Sequence, residues 1–230
     1  MTYELTEASF LRDVATHDMH LLRDDGVYRH VRFKRPGTVC MHFDLITWPG
    51  YLCYCGDMGT FVFYRLNDMF EFFRTDREYA RHRGDRRLFV NHGYWSEKLV
   101  AVDGQRRGGS AMEYSAAKLR AYVNETRLEW IRDARRSGQL SQKERRHLWE
   151  EVDHEVLSRI DDDGEEATYI ARLAMRDFRW IPRRCHCAPE YEFTDFWEIE
   201  FKEFTHSFQW CCFALAWGIE QYDRTKEVAL

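Results

Sequence analysis

Four groups of residues in this 230-residue chain could do chemistry. His42-Phe43-Asp44 places two polar groups at alternate positions, so a strand would aim both at one face. A remote histidine such as His92 would then complete the two-histidine, one-carboxylate set that holds iron with open positions. Cys185-His186-Cys187, with His206 nearby, offers the nitrogen and sulfur ligands that zinc prefers, although loop cysteines also pack as small hydrophobes. The carboxylates Asp44, Asp57 and Asp68 could serve acid–base work, but loops and helix caps use Asp routinely. No nucleophile elbow, Walker loop or dinucleotide fingerprint is present, and Gly104 to Ser110 is glycine-rich without the G-K-[ST] ending. No catalytic residue is assigned, the expectation leans away from an enzyme, and no cofactor is required, with zinc at the Cys185 triplet left open.

The charged groups offer recognition chemistry. Arg74, Arg77, Arg81, Arg83, Arg86 and Arg87 lie in a segment, 74–87, with Tyr79 and Phe89 available to stack, which could track a phosphate backbone. Asp76, Glu78 and Asp85 offset those charges, and a pI near 6.1 is far from that of a typical nucleic-acid binder, so direct nucleic-acid binding is not the expectation. The opposite pole is denser: nine acids fall between Glu150 and Glu166, including Asp161, Asp162, Asp163, Glu165 and Glu166. A solvated helix face with N-terminal acids suited to the macrodipole accounts for part of this. The excess is the candidate acidic surface for a protein partner, because complementary charge steers association and sets register.

The elements that must position these groups follow from periodicity. Thr6 is a candidate N-cap for a helix over 6–17. Met19–Arg23, the Asp24-Asp25-Gly26 turn and Val27–Lys34 read as a hairpin. Val39–Trp48, Tyr51–Cys55 and Thr60–Arg65 continue it into an antiparallel meander of four or five strands, and Leu66–Phe73 reads as helix capped by Asn67 or Asp68. Helices are then expected over 114–136, from the capping box Ser141-Gln142-Lys143-Glu144 onward, and over 164–178. Phe193 to Tyr222 keeps a helical period for about eight turns, which predicts one long final helix. The fold class is α+β: an N-terminal meander with a short helix, then a mostly helical C-terminal half. The expected regions are 1–110 and 111–230, with a shared core left open.

Composition excludes several classes. With 44% hydrophobic residues, 16% aromatics and four prolines, the chain is not of disordered type. Its start lacks the basic and apolar regions of a signal peptide, and its longest apolar stretch is too short and too polar to span a bilayer. Seven cysteines without C-x-x-C spacing are expected as reduced thiols, so the expected location is the cytoplasm. Formal charge is −5, divided as +5 over residues 1–149 and −10 over 150–230.

The runs Leu22-Arg23-Asp24-Asp25-Gly26-Val27-Tyr28-Arg29-His30, His42-Phe43-Asp44-Leu45-Ile46-Thr47-Trp48-Pro49-Gly50, Gly56-Asp57-Met58-Gly59 and Met69-Phe70-Glu71-Phe72-Phe73 resemble a family of uncharacterised proteins encoded by bacteriophages and prophages. Trp210 to Asp223 is similar to that family's end. The resemblance carries no catalytic residue. It implies an accessory protein in the cytoplasm of a bacterial host, acting by protein–protein interaction on a host protein or complex. Inhibition of a defence system such as CRISPR–Cas is the first hypothesis. A metal-dependent enzyme or metal-stabilised protein, and a nucleic-acid binder using 74–87, are the alternatives; a homo-oligomer is left open.

Overall fold

Strand alternation and helical stripes resolve into an α+β fold in which an antiparallel sheet precedes a mostly helical half. The computed structural model describes residues 5–84, 87–103, 110–160, 165–182 and 190–228. The chain divides into two units, Met1–Met112 with Phe204–Leu230, and Glu113–Glu203.

In the first unit, Thr6 and Ser9 form a capping box at the start of α1 (Glu7–Asp13). Six antiparallel strands follow in sequential order: β1 (Asp18–Asp25), β2 (Tyr28–Lys34), β3 (Phe43–Trp48), β4 (Tyr51–Gly56), β5 (Gly59–Tyr64) and β6 (Leu99–Val102). The sixth strand goes beyond the expected meander, because four residues beyond two intervening helices carry too little alternation to read. Those helices are α2 (Met69–His82), capped by Asp68, and α3 (His92–Ser96). Val31, Phe33, Phe43, Leu45, Leu52, Tyr54, Phe61 and Phe63 form a buried hydrophobic floor on one face of the sheet.

The last helix, α7 (His206–Val228), covers that floor. A Cβ on Gly218 would lie 3.0 Å from Leu45 and 3.1 Å from Phe33, so glycine lets the helix backbone settle on the sheet. Trp210 stands edge-on to Phe10 and Phe43, and its indole N–H donates to Asp13 at 3.1 Å, tying α1 to α7.

At one end of this core a buried guanidinium joins three elements. Arg29 on β2 donates two hydrogen bonds, of 2.9 and 2.7 Å, to Asp68 and a third to the Tyr222 hydroxyl. Its plane lies against the rings of Phe70 and Tyr222. Asp68 also accepts from the Phe70 amide as the α2 cap. Burial pushes the Asp68 carboxyl up, but the bonds from Arg29 and Phe70 outweigh it and hold the group below its ordinary value.

The second unit has its own core. It holds α4 (Ala116–Ser137), closed by left-handed Gly138, and α5 (Gln142–Glu155), opened by the expected Ser141/Glu144 capping box. α6 (Glu165–Asp177) and the short ribbon of β8 (Arg179–Trp180) with β9 (Tyr191–Glu192) follow. Two further strands, β7 (Met112–Tyr114) and β10 (Lys202–Phe204), pair where the chain passes from one unit to the other and back.

The eight-turn final helix expected from 193 onward is corrected. Residues 191–204 form β9, a 3-10 turn at Phe196–Glu198 and β10, and the helix begins only at His206, where the Thr205 hydroxyl accepts from the Phe208 amide at 3.1 Å. The apolar period spans the break because its two parts serve two cores. Phe193, Phe196 and Phe201 are buried in the second, while Phe208, Cys211, Leu215, Ile219 and Tyr222 are buried in the first. The region expected as 111–230 is thus helical for the most part, with its last 27 residues grouped with the sheet.

Replacing Arg29 with Met leaves Asp68 without its buried counter-charge. Breaking a buried pair from one side costs about 3–5 kcal/mol, so Arg29→Met is expected to lower the unfolding free energy by about 3 kcal/mol in urea titration. An Asp68→Asn change, which keeps an acceptor for the α2 cap, should fall between Arg29→Met and the parent.

Candidate functional site: the uncovered sheet face

Because strand side chains alternate, residues between those of the apolar floor stand on the other face, where most are half-buried or exposed. The ladder register lines them up in transverse rows. One row runs His20, Arg32, Asp44, Cys55, Thr60; the next runs Arg23, His30, Ile46, Cys53, Val62, Ala101. A third holds Trp48, Tyr51 and Tyr64. The face therefore grades from ionic through thiol and aliphatic to aromatic.

Asp44 anchors the ionic end. It receives Arg32 in fork geometry, with both bonds 2.8 Å, and lies 2.7 Å from His30 Nε2. Its side chain is only 7% exposed although Arg32 is 40% exposed. Burial pushes the Asp44 carboxyl up, and the hydrogen bonds and charge of Arg32 and His30 outweigh that and hold it below the usual carboxylate range. Beside it, the Cys53 thiol donates to the Tyr54 carbonyl at 3.7 Å. The neighbouring Cys55 thiol and burial push Cys53 up, while the Cys53 thiol holds Cys55 below its ordinary value against burial and the nearby Asp44 charge.

At the aromatic end Trp48 stacks on Tyr51 with centroids 5.2 Å apart, and Tyr51 meets Tyr64 at 4.7 Å. Gly50, with φ +86, turns β3 into β4, and a Cβ there would strike the Tyr64 ring at 2.9 Å. The charged residues of the face, Arg23, Arg32 and Lys34 against Asp18, Asp25 and Asp44, cancel. Such a surface, with aromatic anchors and no net field, has the makings of a protein-docking patch rather than a phosphate-binding one.

The sequence candidates fare differently. The segment 74–87 continues α2 as far as His82. Arg74 and Arg77 both pair with Asp223, at 2.6 and 2.7 Å, and Arg81 pairs with Glu220 at 2.7 Å. These arginines lie three and four residues apart, so one helix face meets the acids of α7. Arg83 stays exposed over the Tyr79 ring, and Arg87 is exposed beyond the helix. Arg86 lies outside the described residues, as do Asp161, Asp162, Asp163 and the side chains of Glu165 and Glu166. Their described neighbours are paired: Glu150 with Arg146, Asp153 with Arg127 and Glu155 with Arg159.

Cys185, His186, Cys187 and the Gly104–Gly109 loop also lie outside the described residues. The iron triad is not assembled. Both Asp44 oxygens are taken by Arg32 and His30, His42 precedes β3 and bonds the Val39 carbonyl through Nδ1, and His92 packs among Phe204, Phe208 and Phe213. Among the described residues no three His, Cys, Asp or Glu side chains gather as metal ligands, and no helix is long and apolar enough to cross a membrane. Cys211 and Cys212 are fully buried, and burial raises both thiols.

Comparison with protein-family models, with curated proteins and with solved structures finds no match to this chain.

Asp44 and Asp68 both have folded-state values below their unfolded ones. Their stabilisation is therefore fully present above about pH 5 and is lost as pH falls through the folded values. The urea midpoint is expected to hold from pH 7 to about pH 5 and to drop below about pH 4, with a shallower drop in Asp44→Asn. Parallel acid profiles for parent and variant would remove Asp44 from that account.

Proposed function

We propose that the protein is a binding protein that docks on another protein through its uncovered sheet face. The observation that carries this reading is the ordered row Trp48, Tyr51 and Tyr64, set beside thiols, aliphatic groups and cancelling charges. Aromatic residues dominate the energetics of protein interfaces when a rim of near-neutral contacts excludes water around them. A phosphate backbone would require uncompensated cations, and Arg74, Arg77 and Arg81 already have carboxylate partners within the chain. The phage-family resemblance supplies the setting: an accessory protein that engages a host protein or complex, with inhibition of a defence system such as CRISPR–Cas as the specific proposal.

Charge supports a secondary contact by the other unit. Residues 113–203 hold 16 bases and 21 acids, while the sheet unit holds 18 of each, so the whole net charge of −5 belongs to the second unit. Asp161, Asp162, Asp163, Glu165 and Glu166 are the residues proposed to steer a basic partner.

Affinity purification from a bacterial host, read by quantitative mass spectrometry, tests both surfaces. The Trp48→Ala/Tyr64→Ala variant is expected to lose at least about tenfold of the specific partner, since an interface hot spot contributes about 2 kcal/mol or more. Neutralising the five acids should slow association and reduce its salt dependence while leaving the complex able to form. Undiminished capture by a folded aromatic variant would sink the sheet-face reading.

A further inference from the structure

The uncovered face is graded along its strands, and that grading is complementary to itself. The ionic row starts at His20 on β1 and Arg32 on β2, while the aromatic row of Trp48, Tyr51 and Tyr64 continues onto β2 and β1 as Tyr28 and Asp25. Between the two rows the central strands carry Ile46, Cys53 and Val62. A two-fold axis laid along this middle row sets each strand over its own copy in the reverse direction. The ionic row of one chain then faces the aromatic row of the other, and the aliphatic centre faces itself.

We propose that this face is a two-fold docking surface for a second copy of the chain, with the axis along Ile46, Cys53 and Val62. At the margin His20 faces Asp25 of the second copy, and both side chains are exposed. One strand farther in, Arg32 faces Tyr28 and reaches toward Trp48. Asp44 occupies only the edge of the Arg32 guanidinium, in fork geometry, which leaves its flat face to lie on a ring. Arg23 already stands over Tyr28 within the chain, 5.1 Å from the ring centre, and keeps Asp25 of its own chain at 3.4 Å as counter-charge near the axis. The same face rotated about an axis along β3 would lay Arg32 over Cys55 and Arg23 over Val62, covering cations without partners. An isologous contact requires a patch that complements itself, and of these two axes the one along the middle row gives His20 and Arg32 their partners.

Area sets the strength. Six strands about 4.8 Å apart, with about six residues of about 3.4 Å each, give a footprint of about 500–600 Å² on each copy. The total of about 1,000–1,200 Å² lies at the lower end of specific interfaces, so the dimer is weak and concentration-dependent. Its consequence rests on the docking reading above: self-association covers Trp48, Tyr51 and Tyr64 until a partner displaces the second copy.

Sedimentation velocity of the full-length reduced protein, from about 1 to about 300 μM as a small interface requires, tests the inference. A monomer–dimer equilibrium is expected in the parent. Val62→Arg sets two like charges across the axis and is expected to leave the protein monomeric throughout, with unchanged circular dichroism. His20→Asp sets two carboxylates against each other at both ends of the dimer, and is expected to weaken it about threefold to tenfold. Asp25→Lys likewise opposes two bases. In an equimolar mixture of these two variants, the heterodimer regains opposite charges at both ends, so native mass spectrometry should find it well above its statistical share of one half. A parent that stays monomeric, a dimer that survives Val62→Arg, or a heterodimer at only its statistical share would each overturn the inference. Capture of a host protein by the parent, diluted until monomeric, reads the docking function separately, and its failure would leave the dimer standing.

Discussion

The buried guanidinium of Arg29 is the constraint on which the first unit turns. A charge removed from water is tolerated only where paired and hydrogen-bonded, and Arg29 of β2 meets that condition only when α2 and α7 have converged on it. Asp68 must begin α2, Phe70 must fold back under it, and Tyr222 must arrive from the last helix. Tyr222 passes the linkage on, donating its hydroxyl to Asp24 of β1 at 2.7 Å, while Lys226 closes on the same carboxylate. One residue farther along, Asp223 gathers Arg74 and Arg77. The sheet, α2 and α7 are thereby held in a single register at this end, and the glycine approach at Gly218 and the Trp210–Asp13 bond hold them along the rest of the helix.

That arrangement leaves the sheet asymmetric. Helices and aromatic rings saturate one face, and the other keeps a graded set of ionic, thiol and aromatic groups in the places the ladder assigns. Rigidity is what this face gains. Side chains on central strands are fixed by neighbours on both sides, so Trp48, Tyr51 and Tyr64 present a preformed row that loses little freedom when covered. Asp44 serves the same end at the other margin, because it locks Arg32 and His30 into one orientation while itself remaining buried.

Much of this was legible in the residues, and the failures have specific causes. The β1–β2 hairpin, the Thr6, Asp68 and Ser141 caps and the stop at Gly138 are local, decided within a few residues by turn and capping chemistry. The ion pairs of the α2 arginines were not legible because their acids lie about 140 to 150 positions away on α7, a separation no local pattern spans. The final helix was drawn too long because Phe201 and Phe204 continue a period across a change of core. The uncovered face was only half readable. Strand alternation places Asp44, Cys53 and Cys55 on it, but the joining of Arg32 and His30 to Asp44 depends on cross-strand register, which hydrophobic pattern and turn lengths determine only once the pairing is known.

The order of the two units along the chain has a consequence for synthesis. The six strands emerge from the ribosome well before the helix that roofs their apolar floor, and the 91 residues of the second unit lie between. Growing at about 5–20 residues per second, the chain spends several seconds with Phe33, Phe43, Tyr54 and Phe63 lacking their cover. The second unit, built from contacts closer in sequence, can complete its core within that interval. Folding of the sheet unit is then a closure across the second unit. A nascent chain of this design keeps its greatest aggregation hazard until α7 has emerged, and holding chaperones would be most useful to it until then.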